Sequence, residues 1–340
     1  MKLASLRGQG ADQRDGQLVV VSKDLQHCIA VDSIAATLQY ALDHWTDCHS
    51  KLEDVYDDLN AGRLNHVIQF DPGQCHSPLP RAYQWLDGSA YVNHVELVRK
   101  ARNATMPEQF WHDPLMYQGG SDQFIGPHQP IPLHDEDWGI DFEGEIAVIT
   151  DDVPMGTDQA TCGEHIKLLA LVNDVSLRNL IPAEIGKGFG FMHAKPSSSF
   201  SPVAVTPDEL KDAWIDHKVS LPLVVHFNDQ LFGKANGAED MVFDFARLIA
   251  HACHTRPLGA GTIIGSGTVS NKQNTEFGSS IEQGGVGYSC LAELRVIETI
   301  NNEPSLTPFM RFGDRVRIEM FDHQGQSIFG SIDQQVVRYP

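Results

Sequence analysis

Residues 138–148 read WGIDFEGEIAV and form the most informative segment of the chain. The apolar residues that follow Glu145 predict a strand over 145–150, and side chains two apart on a strand project from the same face. Glu143 and Glu145 therefore place two carboxylates side by side, and they repel each other unless a cation lies between them. Mg²⁺ and Ca²⁺ prefer such oxygen ligands. Glu-x-Glu also occurs on solvated strand faces, so the pair alone leaves both interpretations open.

After residue 80, the sequence pattern is mainly β. Further strands are predicted at 221–227, 291–297 and 315–320, and a helix from Met241 to His254 carries apolar residues on one face. Strands and helices do not alternate regularly, which argues against a doubly wound sheet. We therefore expect an α+β, mainly β fold, with a mixed β-sandwich or roll as the catalytic domain.

The N-terminal part of the chain has a different texture. A strand is predicted over 17–22, and apolar residues at helical spacing follow over 34–56. Pro, Gly and Ser are concentrated in 71–80, a composition typical of a linker. We expect a small N-terminal α/β domain over 1–76 and a catalytic domain over 77–340.

Composition excludes several classes of protein. The 340 residues include 45 Asp plus Glu against 25 Lys plus Arg, a formal net charge of −20 that disfavours nucleic acid as a partner. No apolar stretch approaches the ~20 residues that span a bilayer, and the N-terminus lacks the apolar core of a signal peptide. The six cysteines are scattered without a C-x-x-C pair and indicate reduced thiols. We expect a cytoplasmic protein without membrane or nucleic-acid partners.

Two other segments carry candidate chemistry. Asp174 follows an apolar strand and precedes Arg178 by four residues, which favours a binding group at a strand end, although Asp174 could equally cap a helix. Asp87 precedes His94 by seven residues, and a histidine beside a carboxylate can act as a general base.

In their joint order, these segments resemble the fumarylacetoacetate hydrolase family from Asp87 to the C-terminus. The resemblance rests on ordered motifs, namely Asp87 with His94, 143–145 (EGE), 173–178 (NDVSLR), Lys195 before Ser201-Pro202, 265–270 (GSGTVS), 276–282 (EFGSSIE), 312–316 (FGDRV) and 327–330 (SIFG). Each motif is ordinary alone, and their order over most of the chain is specific. The resemblance also implies a homodimer.

The resemblance implies one Mg²⁺ or Ca²⁺ held by four carboxylates, those of Asp87, Glu143, Glu145 and Asp174. Such a cation would receive the 1,3-dioxo oxygens of a small anionic oxo-acid substrate and withdraw charge from the attacked carbonyl. It would also offset much of the repulsion among the four carboxylates.

The resemblance further implies that His94 activates water and that Glu282 orients this histidine. Lys195 would stabilise an enolate, and Arg178 and Thr268 would contact substrate. Taken singly, Glu282 could be an exposed acid, Lys195 and Arg178 surface charges, and Thr268 part of a tight turn.

Two positions depart from the family pattern. Ile181 stands where fumarylacetoacetate-cleaving members carry glutamine, and Ser89 stands where they carry tyrosine, with Tyr91 out of register. These changes affect groups that contact substrate and put fumarylacetoacetate itself in doubt. We expect a metal-dependent hydrolase that cleaves a carbon–carbon bond in a β-diketone or acylpyruvate-type acid. The alternatives are a decarboxylase, isomerase or hydratase of 2-oxo acids on the same scaffold, and a catalytically silent ion-binding protein.

Overall fold

A computed structural model describes residues 1–8, 14–100, 105–106 and 108–340. Its larger sheet has eleven strands. They are β1 (Lys2–Leu6), β2 (Gln17–Val21), β3 (His27–Ala30), β4 (Ile68–Gln69), β5 (Trp85–Gly88), β6 (Met116–Gly119), β9 (Gly144–Thr150), β10 (Ile166–Asn173), β12 (Ser199–Phe200), β13 (Ala204–Val205) and β18 (Ile263–Gly265).

A second sheet has five strands, and two further pairs are short. The five are β7 (Ile131–Leu133), β16 (Pro222–Phe227), β17 (Gln230–Asn236), β19 (Arg315–Met320) and β20 (Ile332–Arg338). The pairs are β8 (Ile140–Asp141) with β11 (Ser176–Leu177), and β14 (Trp214–Ile215) with β15 (Lys218–Val219).

The described α-helices are short except for one near the N-terminus. They are α1 (Leu38–Asp43), α2 (Trp45–Asn60), α3 (Val92–Lys100), α4 (Gln159–Cys162), α5 (Ile181–Ile185), α6 (Phe245–Ala252) and α7 (Leu291–Ile300). None of the helices in the described ranges combines the length and apolar character needed to cross a membrane. The mainly β, α+β fold expected from the sequence is confirmed.

Strands β9 and β10 form the centre of the larger sheet, and both of their faces are buried. Side chains alternate along β9, so that Ile146 and Val148 join one hydrophobic core while Ala147 and Ile149 join another. The first core includes apolar residues of β16 and β19, and the second includes residues of α1 and α2. Burial on both faces explains the continuous apolar runs in these two strands.

The N-terminal strands extend the same sheet. Strand β1 pairs with β2 on one side and with β13 on the other, and β13 in turn pairs with β10. The predicted strand over 17–22 is observed as Gln17–Val21, and the predicted helix over 34–56 is observed as α1 and α2. The division into 1–76 and 77–340 stays a prediction.

The segment predicted as a strand over 291–297 is a helix, α7. Its first turn is fixed by Asp141, whose Oδ1 accepts the N–H of Leu291 at 2.8 Å and whose Oδ2 accepts that of Ala292 at 3.0 Å. A carboxylate at this position satisfies N–H groups that have no partner within a helix. Leu, Ala, Glu and Arg in this segment are also good helix formers. The strand prediction was therefore wrong.

Candidate metal centre and active site

Strands β5 and β9 and the end of β10 bring three of the four predicted metal ligands together. Asp87 lies on β5, Glu145 on β9, and Asp174 directly after β10. Strand β18 separates β9 from β5, and its Gly265 lies opposite both Asp87 and Ala147. A Cβ at Gly265 would lie 2.5 Å from Asp87 Oδ1, so glycine is needed there to leave room for the carboxylate.

Gly267, in the same glycine-rich stretch, brings its backbone N–H to Asp87. Its φ of +78° lies in the region that favours glycine, and its N–H donates to Asp87 Oδ1 at 3.0 Å. The glycine therefore lets its backbone N–H approach the carboxylate of Asp87 closely.

The carboxylates of Asp87, Glu145 and Asp174 form a buried cluster, with ligand oxygens that all lie within 4.8 Å of one another. Neither carboxylate oxygen of Glu145 has a hydrogen-bond partner among the described residues. Burial, aided by the charge of Asp174, raises the pKa of Asp87 to about 8. Burial and the neighbouring Asp87 raise the pKa of Glu145 well above its usual range. Partnerless buried oxygens of this kind fit a divalent cation.

Glu143, the fourth predicted ligand, contacts two cations. Its Oε1 lies 2.6 Å from Arg178 Nη2, and its Oε2 accepts from Lys195 Nζ at 2.7 Å. Burial opposes the charge of Glu143, but Arg178 and Lys195 outweigh this effect and lower its pKa to about 2. The structure thus brings Glu143 to the site, outside the cluster of three carboxylates.

Asp174 is held by three donors. Its Oδ2 accepts from Lys195 Nζ and from the Tyr117 hydroxyl, both at 2.6 Å, and its Oδ1 accepts from Ser198 Oγ at 2.7 Å. Burial would lower the pKa of Lys195, but Asp174 and Glu143 raise it, so Lys195 is an ammonium ion. Tyr117 lies directly across from Asp87 in the β5–β6 pairing.

The histidine–carboxylate pair is present, with a different carboxylate from the one expected. His94 Nδ1 lies 2.8 Å from Oε1 of Glu293, whose side chain is only 1% exposed. Glu282 lies in an exposed turn and has no hydrogen bond to His94. The expected pairing of His94 with Glu282 is corrected accordingly, because α7 packs against α3 and brings Glu293 to the histidine.

Arg178 connects the carboxylates to the first turn of α7. Its Nε donates to Asp141 Oδ2 at 2.9 Å, and Asp141 also accepts the first N–H groups of α7. Burial would lower the pKa of Arg178, but Glu143 and Asp141 raise it. This network fixes α7, and with it Glu293, relative to the cluster of three carboxylates.

These side chains border one cavity of about 410 Å³. Its wall contains seven of the nine predicted site residues, namely Asp87, His94, Glu143, Glu145, Arg178, Lys195 and Thr268. Asp174 is fully buried behind this wall, and Glu282 is absent from it. The rest of the wall is largely apolar and includes Ile181, Phe191, Val296 and Leu306.

Three groups that complete the site were not predicted from the sequence, namely Glu293, Tyr117 and Ser198. Glu293 was hidden by the strand prediction for 291–297, and Tyr117 lies on a strand that was not singled out. Ser198 follows Lys195 within the KPSS stretch, and this proximity was a usable signal. Tyr91 does not reach the carboxylates, because its hydroxyl donates to the carbonyl of Gly237 at 2.7 Å.

Two family models together match most of this chain. Residues 84–337 match the model described as fumarylacetoacetate (FAA) hydrolase C-terminal, and residues 1–81 match fumarylacetoacetase N-terminal domain 2. A mitochondrial oxaloacetate tautomerase from Xenopus laevis is 25% identical over 184 residues, which cover 53% of this chain and 53% of that protein. The match thus spans about half the length of this relative.

Two solved structures share the fold over the whole of both chains. Maleylpyruvate hydrolase from Sphingobium sp. SYK-6, in complex with manganese(II) and pyruvate, superposes with a TM-score of 0.64 at 18% identity and 100% coverage of each chain. Fumarylacetoacetate hydrolase from Exiguobacterium antarcticum gives a TM-score of 0.65 at 16% identity, again with 100% coverage of each.

Proposed function

Since this chain belongs to the fumarylacetoacetate hydrolase family, we propose that it hydrolyses a carbon–carbon bond in an acylpyruvate-type acid in a metal-dependent reaction. The proposal rests on one observation, that the carboxylate cluster and an oriented base border the same cavity. Asp87 and Glu145 of the cluster line this cavity, and so does His94, which Glu293 orients. Activation of water needs an oriented base, whereas a purely structural ion site does not.

Asp87, Glu145 and Asp174 would hold the cation, with Glu143 still a predicted fourth ligand, and the family resemblance implies that the cation is Mg²⁺ or Ca²⁺. The manganese(II) in the Sphingobium hydrolase supports a divalent ion without selecting among these metals. When bound, such an ion supplies Lewis-acid polarisation of the substrate's dioxo oxygens. The two partnerless oxygens of Glu145 are the feature of this chain that fits the ion best.

His94 and Glu293 divide the work of moving the proton. A carboxylate only accepts hydrogen bonds, so Glu293 orients the imidazole with its proton on Nδ1 and leaves Nε2 free as the base. Nε2 takes a proton from water, whose oxygen forms a bond to the acyl carbonyl carbon. The bond between this carbon and the neighbouring CH₂ then breaks, and its electron pair forms the enolate of pyruvate. Protonation of the former CH₂ carbon by His94 then gives pyruvate, and the acyl part leaves as a carboxylic acid.

Lys195 supplies positive charge where the enolate develops. Its ammonium is buried, is fixed by Asp174 and Glu143, and borders the cavity. A preorganised charge in a site of low dielectric stabilises a developing anion without reorganisation. Arg178 and Thr268 also border the cavity and remain predicted substrate contacts.

Oxaloacetate tautomerisation is the second candidate, and the similarity to the Xenopus laevis tautomerase favours it. It proceeds through an enolate and needs no water to attack a carbonyl. A decarboxylase would likewise require the metal without an activated water. Product analysis separates the three reactions.

The test incubates the Mg²⁺- or Mn²⁺-loaded protein with a panel of acylpyruvates and with oxaloacetate. Hydrolysis predicts pyruvate and carboxylic acid in equal amounts, with turnover abolished in Asp174→Ala and His94→Ala. The matched control is His254→Ala, because His254 is exposed and does not border the cavity. Turnover that survives both site variants, or enol–keto conversion without cleavage, would contradict the proposed hydrolysis.

A homodimeric state and a cytoplasmic location also remain proposals that come from the family resemblance and the composition. Light scattering during size-exclusion chromatography measures the first directly. A measured mass of 37.6 kDa, which is that of a single chain, would contradict the homodimer.

A further inference from the structure

A second set of side chains with metal-binding atoms lies where α3 packs against α7. A ring nitrogen of His94, the thiol sulfur of Cys290 and a carboxylate oxygen of Glu293 all lie within 4.8 Å of one another. Cys290 caps α7 and Glu293 lies three residues further on, a spacing that brings their side chains together at the start of a helix. This set has no residue in common with the cluster of three carboxylates.

Glu293 has a carboxylate oxygen to spare. Its Oε1 lies 2.8 Å from His94 Nδ1, whereas its Oε2 is buried and has no hydrogen-bond partner among the described residues. A glutamate at this helix position commonly turns back to accept the N–H of the capping residue, but Glu293 is turned to His94 instead. A buried carboxylate oxygen without a donor is costly, and a bound cation would satisfy it.

The thiol of Cys290 determines which cation this set suits. It is fully buried and makes no hydrogen bond to the first turn of α7, whose first N–H groups are accepted by Asp141. Thiolate and imidazole ligands suit zinc, whereas Mg²⁺ and Ca²⁺ prefer oxygen ligands. One thiolate and one carboxylate also carry the two negative charges that a divalent ion neutralises, which lowers the cost of burying the ion.

We infer that His94, Cys290 and Glu293 bind one Zn²⁺ ion, and that this ion inactivates the base. With a water molecule, the three ligands complete the four-coordinate arrangement typical of zinc. Donor atoms on one zinc ion are roughly 3.3–3.7 Å apart, so Zn²⁺ needs to widen the His94–Glu293 contact of 2.8 Å by about 0.5 Å. The side chain of His94 borders the cavity and is 18% exposed, which gives the ion a path from solvent.

Zinc on Nδ1 of His94 stops proton transfer at Nε2. The active base carries its proton on Nδ1, where Glu293 accepts it, and keeps a free lone pair on Nε2. When Zn²⁺ takes the place of the Nδ1 proton, the ring carries its proton on Nε2 and cannot accept another from water. The thiol proton of Cys290 is released to solvent. The metal site does not depend on the proposed hydrolysis, and only the loss of turnover rests on it.

The first test detects the metal site without chemistry. Co²⁺, which binds the ligands of zinc, is added to protein in excess Mg²⁺, and the near-ultraviolet charge-transfer absorption of a cobalt–thiolate bond is recorded. We expect this absorption at one equivalent of Co²⁺ and its loss when Zn²⁺ displaces the cobalt. Cys290→Ser should lack the absorption, and serine, a preferred capping residue, preserves the start of α7. Cys48→Ser is the matched control, because Cys48 is buried in α2 and does not border the cavity.

The second test measures turnover of the Mg²⁺-loaded protein as free Zn²⁺ is raised. The wild type and Cys48→Ser should lose activity with the same Zn²⁺ midpoint. In Cys290→Ser, with rates normalised to its own zinc-free value, the midpoint should rise by about 100-fold or more, beyond the 10- to 100-fold effect typical of residues that do not contact a metal. Additional Mg²⁺ should leave the wild-type midpoint unchanged, because the two ions share no ligand.

The two tests separate the zinc site from the proposed hydrolysis. Absence of the cobalt–thiolate absorption, or an equal absorption in Cys290→Ser, would overturn the inference and leave the proposed hydrolysis intact. An absorption that depends on Cys290, in a protein that hydrolyses no acylpyruvate, would keep the metal site and refute the hydrolysis. A Zn²⁺ midpoint that is unchanged in Cys290→Ser, or that rises with Mg²⁺, would place the inhibiting ion at the carboxylate cluster and overturn the inactivation of His94.

Discussion

Replacing Glu293 by glutamine removes one charge from the His94 pair and preserves the shape of the side chain. The carboxylate lies 2.8 Å from His94 Nδ1 and is 1% exposed, so solvent does not screen its interaction with the imidazolium that forms during proton transfer. A neutral amide supplies a hydrogen bond of about half the strength and no compensating charge. The free energy of the transition state should rise, while that of the bound substrate should change little.

The size of the effect follows from the task of the pair. General-base catalysis contributes about 10²- to 10⁴-fold, and the neutral substitution of an orienting carboxylate in a catalytic triad costs about 10⁴-fold. We therefore expect Glu293→Gln to lower kcat for an acylpyruvate by about 10²- to 10⁴-fold, with KM and Mn²⁺ affinity close to those of the wild type. A residue with a merely structural role would change all three quantities.

The assay measures kcat, KM and Mn²⁺ affinity for the wild type, Glu293→Gln and Glu282→Gln. The last variant is the matched control, because Glu282 lies in an exposed turn and its kcat should stay within about twofold of the wild type, as is usual for surface substitutions. A large loss in Glu282→Gln together with a near-normal Glu293→Gln would refute the pairing. Near-normal activity in both would show that no carboxylate orients the base.

Three further outcomes are expected. Asp174→Asn should weaken Mn²⁺ binding by about 100-fold or more, beyond the 10- to 100-fold loss typical of changes outside the ligand set. Asp54→Asn, at an exposed position, should leave Mn²⁺ binding unchanged. Equal Mn²⁺ affinities of the two variants in calorimetric titration would remove Asp174 from the ligand set. Lys195→Met should lower kcat by about 10²- to 10³-fold, because the enolate loses a stabilising charge. Mn²⁺ affinity should not weaken, because Asp174 and Glu143 lose a competing cation. Weaker Mn²⁺ binding at unchanged kcat would contradict the role of Lys195 in stabilising the enolate. Burial and Asp174 raise the pKa of Asp87 from 3.8 to about 8, so the folded protein holds this proton more tightly than the unfolded chain. The metal-free protein should therefore lose stability as pH rises from about 4 to 8, and Mn²⁺ affinity should rise over pH 6 to 8. A pH-independent Mn²⁺ affinity would count against Asp87 as a ligand.

The carboxylate cluster was partly predictable because two of its members lie at recognisable strand positions. Glu145 begins an apolar run that predicts a strand, and Asp174 follows an apolar run that ends where the strand ends. The antiparallel pairing of β10 with β9 places Asp174 across from Glu143 and diagonally from Glu145. The spacing of Glu143 and Glu145 could not reveal that Glu143 turns towards Arg178 and Lys195, since that choice depends on cations distant in the sequence.

Glu293 could not be found in this way, because the conformation of its segment depends on a distant residue. Asp141 caps the first turn of α7 across 150 residues of chain, and apolar residues in the segment fit a strand about as well as a helix. Once the segment is a helix, Glu293 faces α3 and reaches His94. Tyr117 escaped for a related reason, since only the β5–β6 register places it across from Asp87.

The balance of buried charge gives the site its logic. Five carboxylates, those of Asp87, Asp141, Glu143, Glu145 and Asp174, are buried around two cations, Arg178 and Lys195, which leaves three negative charges uncompensated when all are ionised. A bound divalent cation would neutralise two of these charges and so would lower the repulsion that an anionic substrate meets. Both cations of the inner site are already engaged by carboxylates, so even a metal-loaded centre would offer an anionic substrate little net attraction. The affinity for such a substrate would therefore have to come from coordination at short range.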